Sequence, residues 1–240
     1  MSKLIAVCGP PNSGKTAVSL KLAQEIYSLK KTTVLYFSPD ISVPALALIF
    51  PNEKDSDLHS VGNALNKTDI IKEDVLRETV TMKNAENFGY LGFTAGENKY
   101  TYPRPTEDKI EQLFAAMDET AEYSIIDCTC VSDDLISTLA KRDCDHAVRI
   151  FGCDLKSTAY YASCVNEFVS VEGKQIKVLN PTESDVYLPV KETEKHFKGM
   201  DFILPYERTI KQQMITGTLA QGLGGCAFKA EIEKTAKAVI

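Results

Sequence analysis

The stretch Lys3-Leu-Ile-Ala-Val-Cys8, followed without a break by Gly9-Pro10-Pro11-Asn12-Ser13-Gly14-Lys15-Thr16, decides how the rest of the chain is read. Residues 3–8 are an apolar run of strand length. Residues 9–16 satisfy the pattern G-x-x-x-x-G-K-[ST], and after them Val18, Leu22, Ile26 and Leu29 recur at helical spacing. Strand, glycine-bounded loop and helix in that order make a phosphate cradle. Amides at a helix N-terminus face anionic oxygens, and glycine lets the backbone come close to them. Gly9, Pro10, Pro11, Asn12, Ser13 and Gly14 are therefore expected to wrap a nucleotide's phosphates. Lys15 would place its charge on the β and γ oxygens, and Thr16 would offer a hydroxyl to Mg²⁺.

Outward from this loop the chain alternates between strand and helix. Residues 33–37 (TVLYF) are β-branched and aromatic and run into Ser38-Pro39-Asp40. Short helices are expected over 43–50 and 58–79, and strands over 88–93, 123–127, 147–151, 175–179 and 201–204. Thr106 reads as an N-cap with Glu107 and Asp108 in the first turn, and Ile110, Leu113, Phe114 and Met117 form one stripe. A last helix over about 228–240 carries Phe228, Ile232 and Val239 on one side and reads as a packing helix. Short strands that are apolar on both faces, separated by helices, belong in a parallel sheet covered on both sides. The expectation is one α/β domain over 1–240, a mostly parallel twisted sheet with helices on both faces.

Composition narrows the function. The 240 residues carry 27 basic and 33 acidic side chains, a net charge of -6, which argues against nucleic acid as a partner. With 25% charged and 44% hydrophobic residues the chain has the makings of a core and no disordered bulk. Seven cysteines behind an N-terminus without signal-peptide character point to a cytoplasmic protein with free thiols. The longest apolar candidate, 43–50, contains Pro44 and falls short of the ~20 residues of a membrane span, so membrane contact is at most peripheral.

Two carboxylates complete the expected site. Asp127 ends the apolar strand YSIID, where a Mg²⁺-holding aspartate belongs opposite Thr16. Asp40, just past the second strand, is placed to orient the attacking water, against the alternative of an Asx turn after Pro39. Guanine specificity would need N/T-K-x-D after a late strand. Asn180-Pro-Thr-Glu183 lacks both Lys and Asp, so adenine, and ATP, is the better reading.

The order of segments resembles the MinD/ParA family of P-loop ATPases, and within it the CpaE/TadZ pilus-localisation branch. The segments that carry the resemblance are GPPNSGKT, VLYFSPDISVPALALIF, YLGFTAGENKYTYPRP, YSIIDCTCVSDDLISTLAKRDCDHAVRIFGCDLKS, KVLN and FILPYERTIKQQMITG. The resemblance implies a MinD-like fold, a water-activating and Mg²⁺-binding role for Asp40, adenine-pocket roles for Asn180 and Pro205, and a nucleotide-dependent homodimer. It also implies a protein-assembly, secretion or pilus-type partner. Two departures stand out. Pro10 occupies the place of the family's signature Lys, and Cys128-Thr129-Cys130-Val131 lacks the switch glycine that senses the γ-phosphate. The implied protein is a weak ATPase that positions or assembles other components. Two alternatives stay open, a non-hydrolysing nucleotide-binding adaptor and an ATP-dependent kinase or ligase resembling dethiobiotin synthetase.

Other features read more simply. Cys128-x-Cys130 with Cys144 and Cys153 has neither C-x₂-C spacing nor a four-Cys run, so buried thiols are preferred over a cluster. His59, His146 and His196 show no metal-ligand spacing. The loop at 96–105 (GENKYTYPRP) reads as an ordinary polar loop, and Lys156 as a dimer-face residue by resemblance or a solvated helix start.

Overall fold

The structure is a computed structural model that describes residues 2–54 and 57–240. Along the chain run β1 (Lys3–Cys8), α1 (Lys15–Lys30), β2 (Val34–Ser38), α2 (Ala45–Ile49), α3 (Val61–Leu65), α4 (Lys72–Glu78), β3 (Val80–Met82) and β4 (Ala85–Gly92). Then come α5 (Glu107–Thr120), β5 (Tyr123–Asp127), α6 (Leu135–Asp143), β6 (His146–Phe151), α7 (Leu155–Ser163) and a 3-10 segment, Val165–Val171. The chain closes with β7 (Gln175–Leu179), α8 (Val190–His196), β8 (Phe202–Ile203), α9 (Arg208–Thr216) and α10 (Ala227–Val239).

The eight strands of the described residues form one sheet in the order β3-β4-β2-β5-β1-β6-β7-β8. Every neighbouring pair is parallel except β3 and β4. The central strands are buried on both faces, which is why VLYFS and YSIID show no polar alternation. Side chains alternate between two cores. Ile5 and Val7 pack on the face that receives Leu22 and Ile26 of α1 and Phe228, Ile232 and Val239 of α10. Ala6 and Cys8 pack on the face that receives Leu113 and Met117 of α5 and Leu139 of α6. Each fully buried Leu, Ile or Phe contributes roughly 1.5–3 kcal/mol, so both layers are held chiefly by such residues. The apolar stripe of α10 is thereby committed to the core.

The expected N-cap of α5 is present, with Thr106 accepting from the Lys109 amide at 3.4 Å and Glu107 and Asp108 in the first turn. Three details differ from the sequence reading. The 58–79 region holds two short helices, α3 and α4, separated by a turn around Asn66. The strand expected from Phe88 starts at Ala85, and β3 precedes it as an antiparallel edge strand. The reason is local: β3 and β4 meet in a tight, largely polar turn, Lys83-Asn84, and the first residues of β4 are not fully buried, so hydrophobicity does not mark them. After α9, Lys21 of α1 reaches across to donate to the Leu219 and Gln221 carbonyls at 2.8 and 2.6 Å. Burial depresses that ammonium's pKa to about 8.

Candidate nucleotide site

The C-terminal ends of β1, β2, β5, β6 and β7 open on one edge of the sheet, where parallel α/β folds place their ligands. The loop 9–16 leaves β1 there and enters α1 at Gly14, which has φ 77° and ψ 19°. A side chain at Gly14 would be strained twice over, because a Cβ would also stand 2.6 Å from Asn180 Nδ2. Gly9 is confined as well: a Cβ would lie 2.8 Å from the Ile150 carbonyl of β6. Asn12 takes a left-handed φ of 62°, and Ser13 folds under the loop with its Oγ donating to the Pro10 carbonyl at 2.8 Å. The loop is thus a bent backbone whose glycines sit where neighbouring atoms leave no room for a side chain.

Thr16 and Asp127 meet directly. The Thr16 hydroxyl donates to Asp127 Oδ2 at 2.7 Å, and the Tyr36 phenol of β2 donates to the same oxygen at 3.1 Å. Asp127 is 4% exposed, and its other oxygen, Oδ1, is buried with no hydrogen-bond partner. Burial pushes the carboxyl's pKa up, opposed by the positive charge of Lys15 and by the Thr16 and Tyr36 hydrogen bonds. Burial and the Asp127 charge raise the Tyr36 phenol well above its ordinary value, which keeps it a donor. A buried carboxylate oxygen without a partner, next to a threonine hydroxyl and a lysine, is a donor set that suits a hydrated Mg²⁺. The residues therefore fit the ion and the phosphates: loop amides and Lys15 for the anion, Thr16 and Asp127 for the metal shell.

Asn180 enters from the end of β7. Its side-chain Nδ2 donates to the Ser13 carbonyl at 2.8 Å, and its backbone N–H donates to Phe151 at 2.8 Å, so it fastens the loop to the sheet. Leu204 pairs with Leu179 through a 2.8 Å backbone bond, which brings Pro205 to the same edge as Asn180. Asp40 lies after β2, where its Oδ1 accepts from the Ser42 and Val43 amides at 2.9 Å each, an Asx turn. The segment after Asp127 is fixed to the start of α6. The Thr129 amide donates to Ser137 Oγ at 2.8 Å, and the Thr129 hydroxyl donates to Asp134, the N-cap of α6, at 3.1 Å. Arg104 donates to the Asp133 carbonyl at 2.6 Å.

The loop 96–105 is built into the fold. Tyr102 donates to Glu97 at 2.6 Å, and its ring covers Gly62, where a Cβ would come within 2.1 Å of it. All seven cysteines are free, and Lys156 is exposed in the first turn of α7. Among the described residues, no three His, Cys, Asp or Glu side chains converge on a metal site. Among the described residues, no helix is long and apolar enough to cross a membrane.

Sequence reasoning did not single out Tyr36. Its position inside an apolar strand reads as core, and only the register of β2 beside β5 brings its hydroxyl to Asp127. The Asn180 contact to Ser13 spans 167 residues and leaves no local mark in the sequence.

No family model matches the sequence, and no curated protein matches it. Solved structures do. A ParA-family ATPase from Chlorobium tepidum superposes with TM-score 0.76 at 13% identity, over 98% of each chain. The fold is that of the MinD and ParA ATPases. The cell-division ATPase MinD of Pyrococcus furiosus matches with TM-score 0.75 at 16% identity, over 100% of this chain and 98% of its own. MinD of Pyrococcus horikoshii, solved with Mg-ADP, gives 0.73 at 14% identity, over 100% and 96%. With so little identity the MinD/ParA likeness is one of architecture.

Proposed function

We propose that this chain is a Mg-ATP-binding P-loop ATPase of the MinD/ParA type, closest to the CpaE/TadZ branch, that positions or assembles a protein machine through nucleotide-dependent changes in partner affinity. The observation that carries this reading is the pairing of Thr16 with a buried Asp127 whose second oxygen has no partner, beneath a loop bent around two crowded glycines. Mg²⁺, when bound, offsets phosphate charge. Lys15 and the amides of residues 9–16 hold the phosphates, Thr16 and Asp127 hold the metal shell, and Asp40 accepts the proton of an attacking water. Asn180 and Pro205 border the adenine. The partner is a second copy of this chain with nucleotide between the two, and beyond it a protein assembly of secretion or pilus type.

Slow hydrolysis follows from Pro10, which stands in place of the trans-acting lysine, and from the switch segment 128–131, which has no glycine. The same two observations favour the adaptor reading as runner-up. A kinase or ligase would need a basic acceptor pocket. A cavity of about 430 Å³ does adjoin Asp40 and Thr129 and carries Lys99 and Arg104. It also carries Asp40, Asp133 and Asp134, and Arg104 is engaged by Asp133, so it suits an anionic acceptor poorly. Solution mass and phosphate release, measured with ATP, with ADP and without nucleotide, separate the three. The proposal predicts ATP-dependent dimers with slow release. Dimers with no release would favour the adaptor, and monomers that release phosphate only with an added metabolite would favour the enzyme.

A further inference from the structure

Cys8 is the last residue of β1 and Cys128 the first after β5. The two strands are parallel neighbours in a register that pairs Val7 with Asp127, and the Cys128 amide donates to the Val7 carbonyl at 3.0 Å. The next residue on each strand therefore stands side by side, at the ~4.8 Å spacing of adjacent strands. That spacing lies inside the ~4.4–6.8 Å window in which two cysteines close a disulfide. Both thiols face the same core, at 2% and 1% exposure. One is bonded to Gly9, where the phosphate loop starts, and the other to Asp127.

From this juxtaposition we infer that Cys8 and Cys128 are a modification site, a dithiol that a peroxide converts to a disulfide and thereby loosens the phosphate loop. The neighbouring Cys128 side chain and the positive charges of Lys141, Arg149 and Lys15 hold the Cys8 thiol below its ordinary pKa, against the effect of burial. Cys8 is thus the attacking sulfur. Its thiolate displaces hydroxide from the peroxide, the O–O bond breaks, and Cys8 becomes a sulfenic acid. The Cys128 sulfur then attacks the Cys8 sulfur, the S–O bond breaks, and the departing oxygen leaves as water with the Cys128 proton. Two thiols lose two electrons, and one hydrogen peroxide becomes two waters. A peroxide is small enough for a buried pair that a bulky disulfide reagent does not reach.

The consequence for the site follows from contraction. Closing a disulfide brings the two sulfurs to ~2.05 Å, and the backbones flanking them shift to accommodate it. Gly9 has no slack toward β6, with the Ile150 carbonyl already 2.8 Å from where a Cβ would lie, so the shift is passed into residues 9–16. The effect on nucleotide affinity rests on the function proposed above; the disulfide itself does not.

The test treats the folded wild-type protein with hydrogen peroxide, blocks remaining thiols, and maps peptides cut after Lys and Arg. The expected product joins residues 4–15 to 110–141, is undone by dithiothreitol, and still forms in Cys130→Ser but not in Cys128→Ala. Amide exchange across residues 9–16 rises on oxidation, with no nucleotide present, and ATP affinity falls about tenfold or more and returns on reduction. Cys8 and Cys128 recovered as free thiols while other cysteines oxidise would overturn the inference. So would a link lost in Cys130→Ser, or a link that leaves exchange in residues 9–16 unchanged. Failure of the reduced, untreated protein to bind ATP would instead count against the nucleotide reading alone, because the peptide map and the exchange data stand without it.

Discussion

The phosphate loop and the two segments that flank it, 38–43 after β2 and 128–134 after β5, meet on one edge of the sheet but are built in opposite ways. The loop and Asp127 beside it leave polar capacity unspent: Asp127 Oδ1 has no partner among the described residues, and the glycines keep the backbone open to an incoming group. The flanking segments spend theirs internally. Asp40 caps its own turn, Thr129 is shared between Ser137 and Asp134, and Arg104 ties residue 133 to the 96–105 loop. Under the function proposed above, a site whose grip is preformed and whose flanks are self-satisfied would hold nucleotide more readily than turn it over.

The largest expected effect breaks the loop itself. Gly14→Ala puts a side chain on a left-handed residue and against Asn180 Nδ2, so ATP binding should fall at least about a hundredfold and stability by about 1–3 kcal/mol, read by calorimetry and thermal melting. Retained affinity would mean the loop bends differently when occupied. Next is Asp127→Asn. It should remove the Mg²⁺ dependence of ATP binding and at the same time raise the Tm of the nucleotide-free protein by about 2–4 °C. The sign follows from the raised pKa. The folded protein holds the Asp127 proton more tightly than the unfolded chain, so this group's stabilisation is full below the unfolded pKa and lost as pH rises through the folded one. At neutral pH the bare carboxylate is a cost that the amide removes. A lower Tm in the variant would place the carboxylate among the stabilising contacts instead.

Asn180→Ala tests the fastening of the loop to β7. Loss of one buried bond to Ser13 costs about 1–2 kcal/mol, and affinity should fall about tenfold while Mg²⁺ dependence persists. The smallest effect on binding belongs to the flank. Asp40→Asn keeps an oxygen for the Ser42 and Val43 amides but removes the charge, whereas Asp40→Ala removes both. Turnover should drop at least about tenfold in each with Kd within about twofold, and only the alanine variant should lose Tm, by about 2–4 °C. Equal losses of binding and turnover in Asp40→Asn would make Asp40 part of the phosphate grip and erase the contrast between loop and flanks.

The same contrast governs what could be read from sequence. The strand, loop and helix around residues 9–16 were legible because an apolar run, a glycine-bounded loop and helical spacing follow one another, and the place of Asp127 at a strand end because it closes an unbroken apolar run. VLYFS was legible as a buried strand, yet the role of its Tyr36 was not, since a tyrosine in the core and a tyrosine on a carboxylate look alike until neighbouring strands are in register. The antiparallel β3 escaped because three residues at a sheet edge carry too little hydrophobic pattern. For Asp40 both sequence readings remain compatible with its position, because a carboxylate that caps a turn keeps a second oxygen.

The central claim is that Lys15 and the loop bind ATP with Mg²⁺, and titration calorimetry of the wild-type chain and of Lys15→Ala with Mg-ATP tests it most directly. The account predicts one saturable site per wild-type chain, weakened when EDTA removes Mg²⁺, and no measurable binding in a Lys15→Ala protein that melts like the wild type. Equal affinity in the two proteins would contradict it.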